Sequence, residues 1–217
     1  MTPAGLLATK MVVSNVYVAV GAIDEALRIR PARQDQLRAV GMPAWRQREF
    51  LAGRTLLRRL LADVAGHAAA ERIEARSSGQ PYLPGRPGLG ISLSHTRDLV
   101  AAAVGIGCTV GVDVEVAAPV SRAMLRRCCT PEALAMLDAL PGAAAEVEFA
   151  WLWTAKEACV KAAGTGLAGA PWLIPVTPGQ RSGRWGPISW HSLRDRFTTP
   201  VTCAYAKSKE VPDASDG

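Results

Sequence analysis

The chain has 217 residues, 49% of them hydrophobic and 20% charged, with 25 Lys and Arg against 19 Asp and Glu. Enough apolar surface is available for a sizeable core, in one large domain or two small ones, which excludes a chain too polar to fold. The formal net charge of +6 favours an anionic partner and leaves nucleic acid, acidic protein and phosphorylated ligand open.

In chain order, Val12, Val16, Tyr17, Val18 and Val20 are strand-forming types and predict a first strand of about ten residues. A helix is expected at Trp45–Ala65. There Phe50, Leu51, Leu56, Leu57, Leu60, Leu61 and Val64 recur at three- and four-residue spacings, and Arg46, Arg48, Arg54, Arg58 and Arg59 occupy the other face. Ser77–Gly90 is broken by seven Gly and Pro residues and reads as an extended loop. Strands are expected at Ile91–Ser94, Leu99–Ile106 and Val110–Val116. Helix follows from Ser121 to Leu140 with a break at Thr130-Pro131, where Thr130 caps a new helix. A long helix from about Ala143 to Ala163 stops at Gly164. Weak strands at Ile188–His191 and Val201–Ala206 precede a polar tail from Lys207, expected to be disordered. The order strand, long helix, strands occurs twice, which suggests halves 1–107 and 108–217 of similar plan.

No segment reaches the ~20 apolar residues of a membrane span. Ser14 and Asn15 interrupt the apolar run Met11–Ile23, which argues against a signal peptide and for a soluble, cytoplasmic protein. Cys108, Cys128, Cys129, Cys159 and Cys203 form no C-x-x-C pair and are odd in number, so buried thiols are expected.

Three clusters carry possible chemistry. In Gly111-Val112-Asp113-Val114-Glu115-Val116 the strand period places Asp113 and Glu115 on one face and the valines on the other. Paired carboxylates repel unless a cation lies between them, and magnesium takes oxygen ligands of this kind. An isolated D-x-E, however, is more often a solvated strand face. In Trp153-Thr154-Ala155-Lys156-Glu157-Ala158-Cys159-Val160-Lys161, Glu157 and Lys161 share a helix face, as a surface ion pair or as an acid and a phosphate contact. In Ser92-Leu93-Ser94-His95-Thr96, His95 is a structural hydrogen-bonding group or a donor to phosphate.

The three blocks in this order resemble the 4′-phosphopantetheinyl transferases of the surfactin-synthetase-activating (Sfp) type. That family shows a serine–histidine pair, a G-[IV]-D-x-E strand and a W-x-x-K-E-[AS]-x-x-K helix, and Gly164-Thr165-Gly166-Leu167 is similar to its G-x-G-L turn. The resemblance spans about Gly79 to Leu167. It implies an α+β fold of two pseudo-twofold-related halves, each a small antiparallel sheet on a long helix, with coenzyme A between them. It implies Asp113, Glu115 and Glu157 as ligands of Mg2+, with Mn2+ as the alternative. Ser94 and His95 then contact phosphates, Lys161 stabilises charge on the pyrophosphate, and Glu157 accepts the proton of a carrier-protein serine. Arg54, with Arg46 and Arg48, matches the 3′-phosphate site, and Gly79-Gln80-Pro81 stands where relatives have Gly-[Lys/Arg]-Pro beside the adenine.

The implied partner is an acidic acyl or peptidyl carrier protein meeting a monomer. Val120, Arg122, Met124, Leu125, Arg126 and Arg127 are candidates for docking it. A nucleic-acid-binding module leaves the three acids unexplained. A metal-dependent pyrophosphate hydrolase uses the same acids but not the succession of blocks.

Overall fold

The computed structural model describes residues 10–207 apart from Ser14. The chain starts with β1 (Lys10–Val13) and β2 (Val16–Ala22), an antiparallel hairpin. One strand was expected here. Asn15, which interrupts the apolar run, has φ 67°, a left-handed conformation that Asn tolerates better than most residues. Two short helices then follow that the sequence reading did not anticipate, α1 (Ile23–Leu27) and α2 (Arg33–Ala39).

The expected long helix is α3 (Ala44–Ala65). Its basic side is open only in part: Arg46, Arg48 and Arg59 stay partly exposed, while α2 packs against the helix and Arg54 and Arg58 are buried. Arg58 is buried, with Nε 2.5 Å from Asp35 Oδ2 of α2. Its Nη1 donates to the carbonyls of Ala69 at 2.6 Å and Glu71 at 3.0 Å.

The Gly- and Pro-rich segment is mainly loop. It contains β4 (Pro81–Tyr82), which pairs with β3 (Glu74–Ala75), and its last two residues open β5 (Leu89–Thr96). β6 (Leu99–Ile106) has the expected bounds. These strands form an antiparallel sheet in the order β1-β2-β6-β5.

β7 (Cys108–Val114) stops two residues short of the expected end. Glu115 follows it, its N–H donating to Pro200 O at 3.0 Å. The helical stretch breaks where expected, into α4 (Arg122–Cys128) and α5 (Pro131–Asp138), with Thr130 Oγ1 accepting from Ala133 N. α6 (Gly142–Ala163) ends on Gly164 at φ 71°, a left-handed C-terminal cap. β8 (Ser182–Trp185), β9 (Ile188–Ser192) and β10 (Val201–Lys207) complete a second antiparallel sheet, β7-β10-β9-β8. β8 was not foreseen, and the tail after Lys207 lies outside the described residues.

Both sheets follow one plan. The order β2-β6-β5 in the first matches β7-β10-β9 in the second: the strand before the long helix pairs with the last strand, which pairs with the one before it. Four layers result. α3 packs on one face of the first sheet through Leu56, Leu57 and Leu60 against Val100, Ala102 and Val104. Val16, Val18, Ala101 and Ala103 on the other face share a core with Val110, Val112, Val114 and Val201 of the second sheet. α6 covers the far side through Leu152, Ala155 and Val160 against Ile188, Trp190 and Ala204. Gly111 is required for that contact, since a Cβ there would lie 2.1 Å from Ala158 O.

The seam between the sheets places the site. β7 is an edge strand, and its outward N–H groups need acceptors. Val112 N donates to Ser92 Oγ at 3.1 Å and Val114 N to Ser94 Oγ at 3.4 Å. Serine hydroxyls of β5 thus take the place of a neighbouring strand.

Candidate active site

Ser92, Ser94 and Thr96 alternate along β5, so the strand period brings their hydroxyls to one side, opposite the end of β7. Ser94 Oγ donates to Asp113 Oδ1 at 2.7 Å. Lys161 Nζ reaches both groups, 2.6 Å from Asp113 Oδ1 and 3.0 Å from Ser94 Oγ. Thr96 Oγ1 donates to Glu115 Oε2 at 3.2 Å. The valines alternating with Asp113 lie in the core between the sheets, so the carboxylate is turned toward α6.

Asp113 is 4% exposed, and its Oδ2 is buried without a hydrogen-bond partner. A buried carboxylate oxygen with nothing to accept from is costly unless a cation uses it. Burial raises the Glu115 carboxyl above its ordinary pKa, and the Asp113 charge adds to the rise against the Thr96 hydrogen bond. Burial likewise raises Glu157, with Asp113 and Glu115 adding and Lys161 opposing. Three acids thus share one ammonium. Among the described residues no three His, Cys, Asp or Glu side chains stand ready to enclose a metal ion by themselves. The donor set instead suits a hard cation bound by a few carboxylate oxygens and completed by substrate phosphate and water, as magnesium often is.

Glu157 and Lys161 open onto a cavity of about 290 Å³, lined also by Gly79, Gln80, Pro81, Ser92 and Leu167. Gln80 and Pro81 therefore line the same cavity as Glu157 and Lys161. His95 stands on the α3 side. Arg46 Nη1 is 2.9 Å from its Nε2, and because a guanidinium only donates, Nε2 accepts. Nδ1 then carries the proton and faces Glu49 Oε2 at 3.6 Å. Burial lowers the pKa of His95, which agrees with a neutral ring, and Arg46 and Lys161 reinforce this against Glu49.

The arginines of α3 do not line that cavity. Arg48 pairs with Asp24 at 2.5 Å. Arg54, expected at a 3′-phosphate site, is 5% exposed. Its guanidinium lies 5.2 Å from the Phe50 ring centroid, and Nη1 is buried without a partner. Burial lowers its pKa to about 10. Among the docking candidates, Met124 is exposed, and Val120 and Leu125 line a groove of about 210 Å³ with Phe149. Arg122 is held by Asp138, its Nη2 2.7 Å from Oδ2, and Arg127 lies 4.5 Å over the Trp172 ring.

The sequence reading missed Ser92 and Thr96, although their period-two spacing with Ser94 was legible. It also passed over Lys156, which is 1% exposed and donates to the carbonyls of Cys128 at 2.7 Å and of Ile174. The cysteines are free, four of them buried and Cys129 partly so. No helix of the described residues is long and apolar enough to cross a membrane.

Comparison with known proteins agrees with this arrangement. Residues 35–105 match the model of the 4′-phosphopantetheinyl transferase N-terminal domain. Residues 109–206 match that of the 4′-phosphopantetheinyl transferase superfamily. The chain is 34% identical over 128 residues to 4′-phosphopantetheinyl transferase HetI of Nostoc sp. (strain PCC 7120 / SAG 25.82 / UTEX 2576), covering 56% of this chain and 54% of that protein. It is 30% identical over 122 residues to 4′-phosphopantetheinyl transferase psf-1 of Bacillus pumilus, covering 56% of this chain and 52% of that one. The chain thus spans about half the length of these curated relatives. Two successive family matches, on the two sheets that enclose the acid cluster, identify the chain as a member of the 4′-phosphopantetheinyl transferase superfamily.

Proposed function

We propose that this protein transfers the 4′-phosphopantetheine group of coenzyme A to a serine of an apo carrier protein, releasing adenosine 3′,5′-bisphosphate. The observation that carries the reading is the crowding of Asp113, Glu115 and Glu157 around Lys161, with Glu157 and Lys161 lining one cavity. Asp113, Glu115 and Glu157 would hold Mg2+ or Mn2+, which when bound supplies positive charge to the pyrophosphate. Lys161 neutralises charge developing as the phosphoanhydride bond breaks. Glu157, a carboxylate beside the metal site and the cavity, is the group that would take the proton from the carrier serine, directly or through water. The serine oxygen then bonds to phosphorus as the adenosine bisphosphate leaves.

Ser94 has a different part from the one first expected. Its proton goes to Asp113 and its oxygen receives Lys161 and Val114, so it positions the acid rather than the phosphate. His95, engaged by Arg46 and facing Glu49, borders the site on the α3 side. The exposed Met124 and the groove at Val120 and Leu125 suit a carrier's apolar contacts, with Arg126 toward its acidic surface. Residues 1–107 and 108–217 are taken as the two halves of a monomer.

The test is incubation of the protein with coenzyme A, magnesium and several apo acyl and peptidyl carriers, followed by intact mass. One phosphopantetheine is expected on at least one carrier. No gain on any of them refutes the reading, and phosphate-ester hydrolysis without a carrier supports a hydrolase instead.

A further inference from the structure

Gln80 sits in a tight turn, where Arg76 N donates to Gln80 O at 2.9 Å and Gly79 N to Arg76 O at 2.9 Å. The turn, between β3 and β4, fixes its backbone, and its side chain reaches across to α6. Gln80 Nε2 donates to Lys161 O at 3.1 Å, in the last turn of α6. Helix ends leave carbonyls short of donors, and the partial negative charge there favours an added N–H. Lys161 O also accepts from Gly164 N at 3.0 Å, so it receives two donors. Gly164 in turn makes room for Gln80, because a Cβ there would lie 2.7 Å from Gln80 Oε1.

Gln80 and Pro81 line two cavities of about 290 Å³ each, one with Glu157 and Lys161, the other with Arg76, Tyr82 and Arg86. The amide therefore stands in the wall between them. Lys161 is held at both ends, its carbonyl by Gln80 and its ammonium by Asp113 at 2.6 Å.

We propose that Gln80 is a positioning residue, a strap from the loop onto α6 that fixes the width of the phosphate cavity. This rests on the transfer reading above. With its amide turned to a backbone carbonyl, Gln80 supplies the phosphates with no charge of its own, and it acts on how tightly coenzyme A is held rather than on the chemical step.

Gln80→Met removes the donor without adding charge, Gln80→Glu keeps the shape but sets a carboxylate against the helix end, and Gln80→Lys restores a donor. Gln80→Met is expected to raise KM for coenzyme A about fivefold to tenfold, the worth of one hydrogen bond, with kcat within about twofold. Gln80→Glu should raise KM further, and Gln80→Lys should return it to within about threefold of the parent. In the unliganded protein, amide exchange at Gly164–Leu167 should quicken about tenfold in Gln80→Met and not in Gln80→Lys. Unchanged KM and unchanged exchange in Gln80→Met overturn the proposal, as does failure of Gln80→Lys to restore either. If the parent transfers nothing, the transfer reading fails, and exchange alone decides whether the strap exists.

Discussion

The two 22-residue helices, α3 and α6, cover their sheets in the same way but handle charge differently. α3 buries Arg58 against a carboxylate, with Nε 2.5 Å from Asp35. α6 buries Lys156 with no carboxylate in contact among the described residues, its ammonium facing the carbonyls of Cys128, Trp172 and Ile174. At the seam, α6 adds Glu157 to Asp113 and Glu115, and Lys161 alone among them opposes the accumulated negative charge. At Arg58 the first half neutralises its buried charge locally, although Arg54 keeps a buried Nη1 without a partner. The second keeps an electrostatic debt at its edge that a cation and a phosphate ligand can settle together.

The widest separation between these regions is expected in turnover. Asp113→Ala removes the acid with an orphaned buried oxygen and the anchor of Lys161, so transfer should fall by about a thousandfold or more with the circular dichroism of the fold retained. Near-normal turnover would place the metal elsewhere and dissolve the contrast. Arg58→Met should do the reverse. It leaves Asp35 buried and uncompensated, which costs about 3 kcal/mol in denaturant unfolding, while transfer per folded molecule is kept. If it abolishes transfer in fully folded protein, the first half contributes more than scaffold.

Lys156→Met sharpens the same contrast, because it removes a buried charge without stranding an opposite one. Three carbonyls lose a donor, but the cost of burying an ammonium disappears with it. A smaller loss, about 1–2 kcal/mol, is expected in the same unfolding measurement. A loss as large as that of Arg58→Met would mean that stranded charge is not what separates the two helices.

Features set by local chemistry were legible in the sequence. Thr130 capping α5, Gly164 ending α6 and the apolar stripe of α3 each depend on residues a turn or two apart. Asp113 and Glu115 were legible as a pair because they stand two residues apart at the end of a strand, although Glu115 itself follows β7. Features set by distant packing were not. The burial of Arg54 and Arg58 was not legible, because nothing local announces that α2 will pack against α3. Lys156 lies inside a recognised block, yet its burial is decided by Cys128, Trp172 and Ile174. The use of Ser92 and Ser94 as acceptors for β7 depends on where the edge of one sheet meets the other, and Gln80 needed the position of a helix end 81 residues away.

The smallest expected effect tests charge handling on α6 away from the seam. Glu148 accepts from Arg194 at 2.6 Å and 2.8 Å and from Gly179 N at 2.7 Å. Burial alone would raise its pKa, but the Arg194 and Gly179 hydrogen bonds outweigh it and hold the carboxyl below its ordinary value of 4.5. The folded protein therefore binds fewer protons than the unfolded chain in acid. The stabilisation is full above about pH 4.5 and is lost as the pH falls through the lower folded value. Glu148→Gln keeps the shape without the charge. Urea unfolding should show it about 1 kcal/mol less stable at neutral pH, with the gap closing in acid as the parent's Glu148 is protonated. A gap that persists at low pH would assign the pair's contribution to packing of Arg194 over Trp151, 4.8 Å from its ring, rather than to charge.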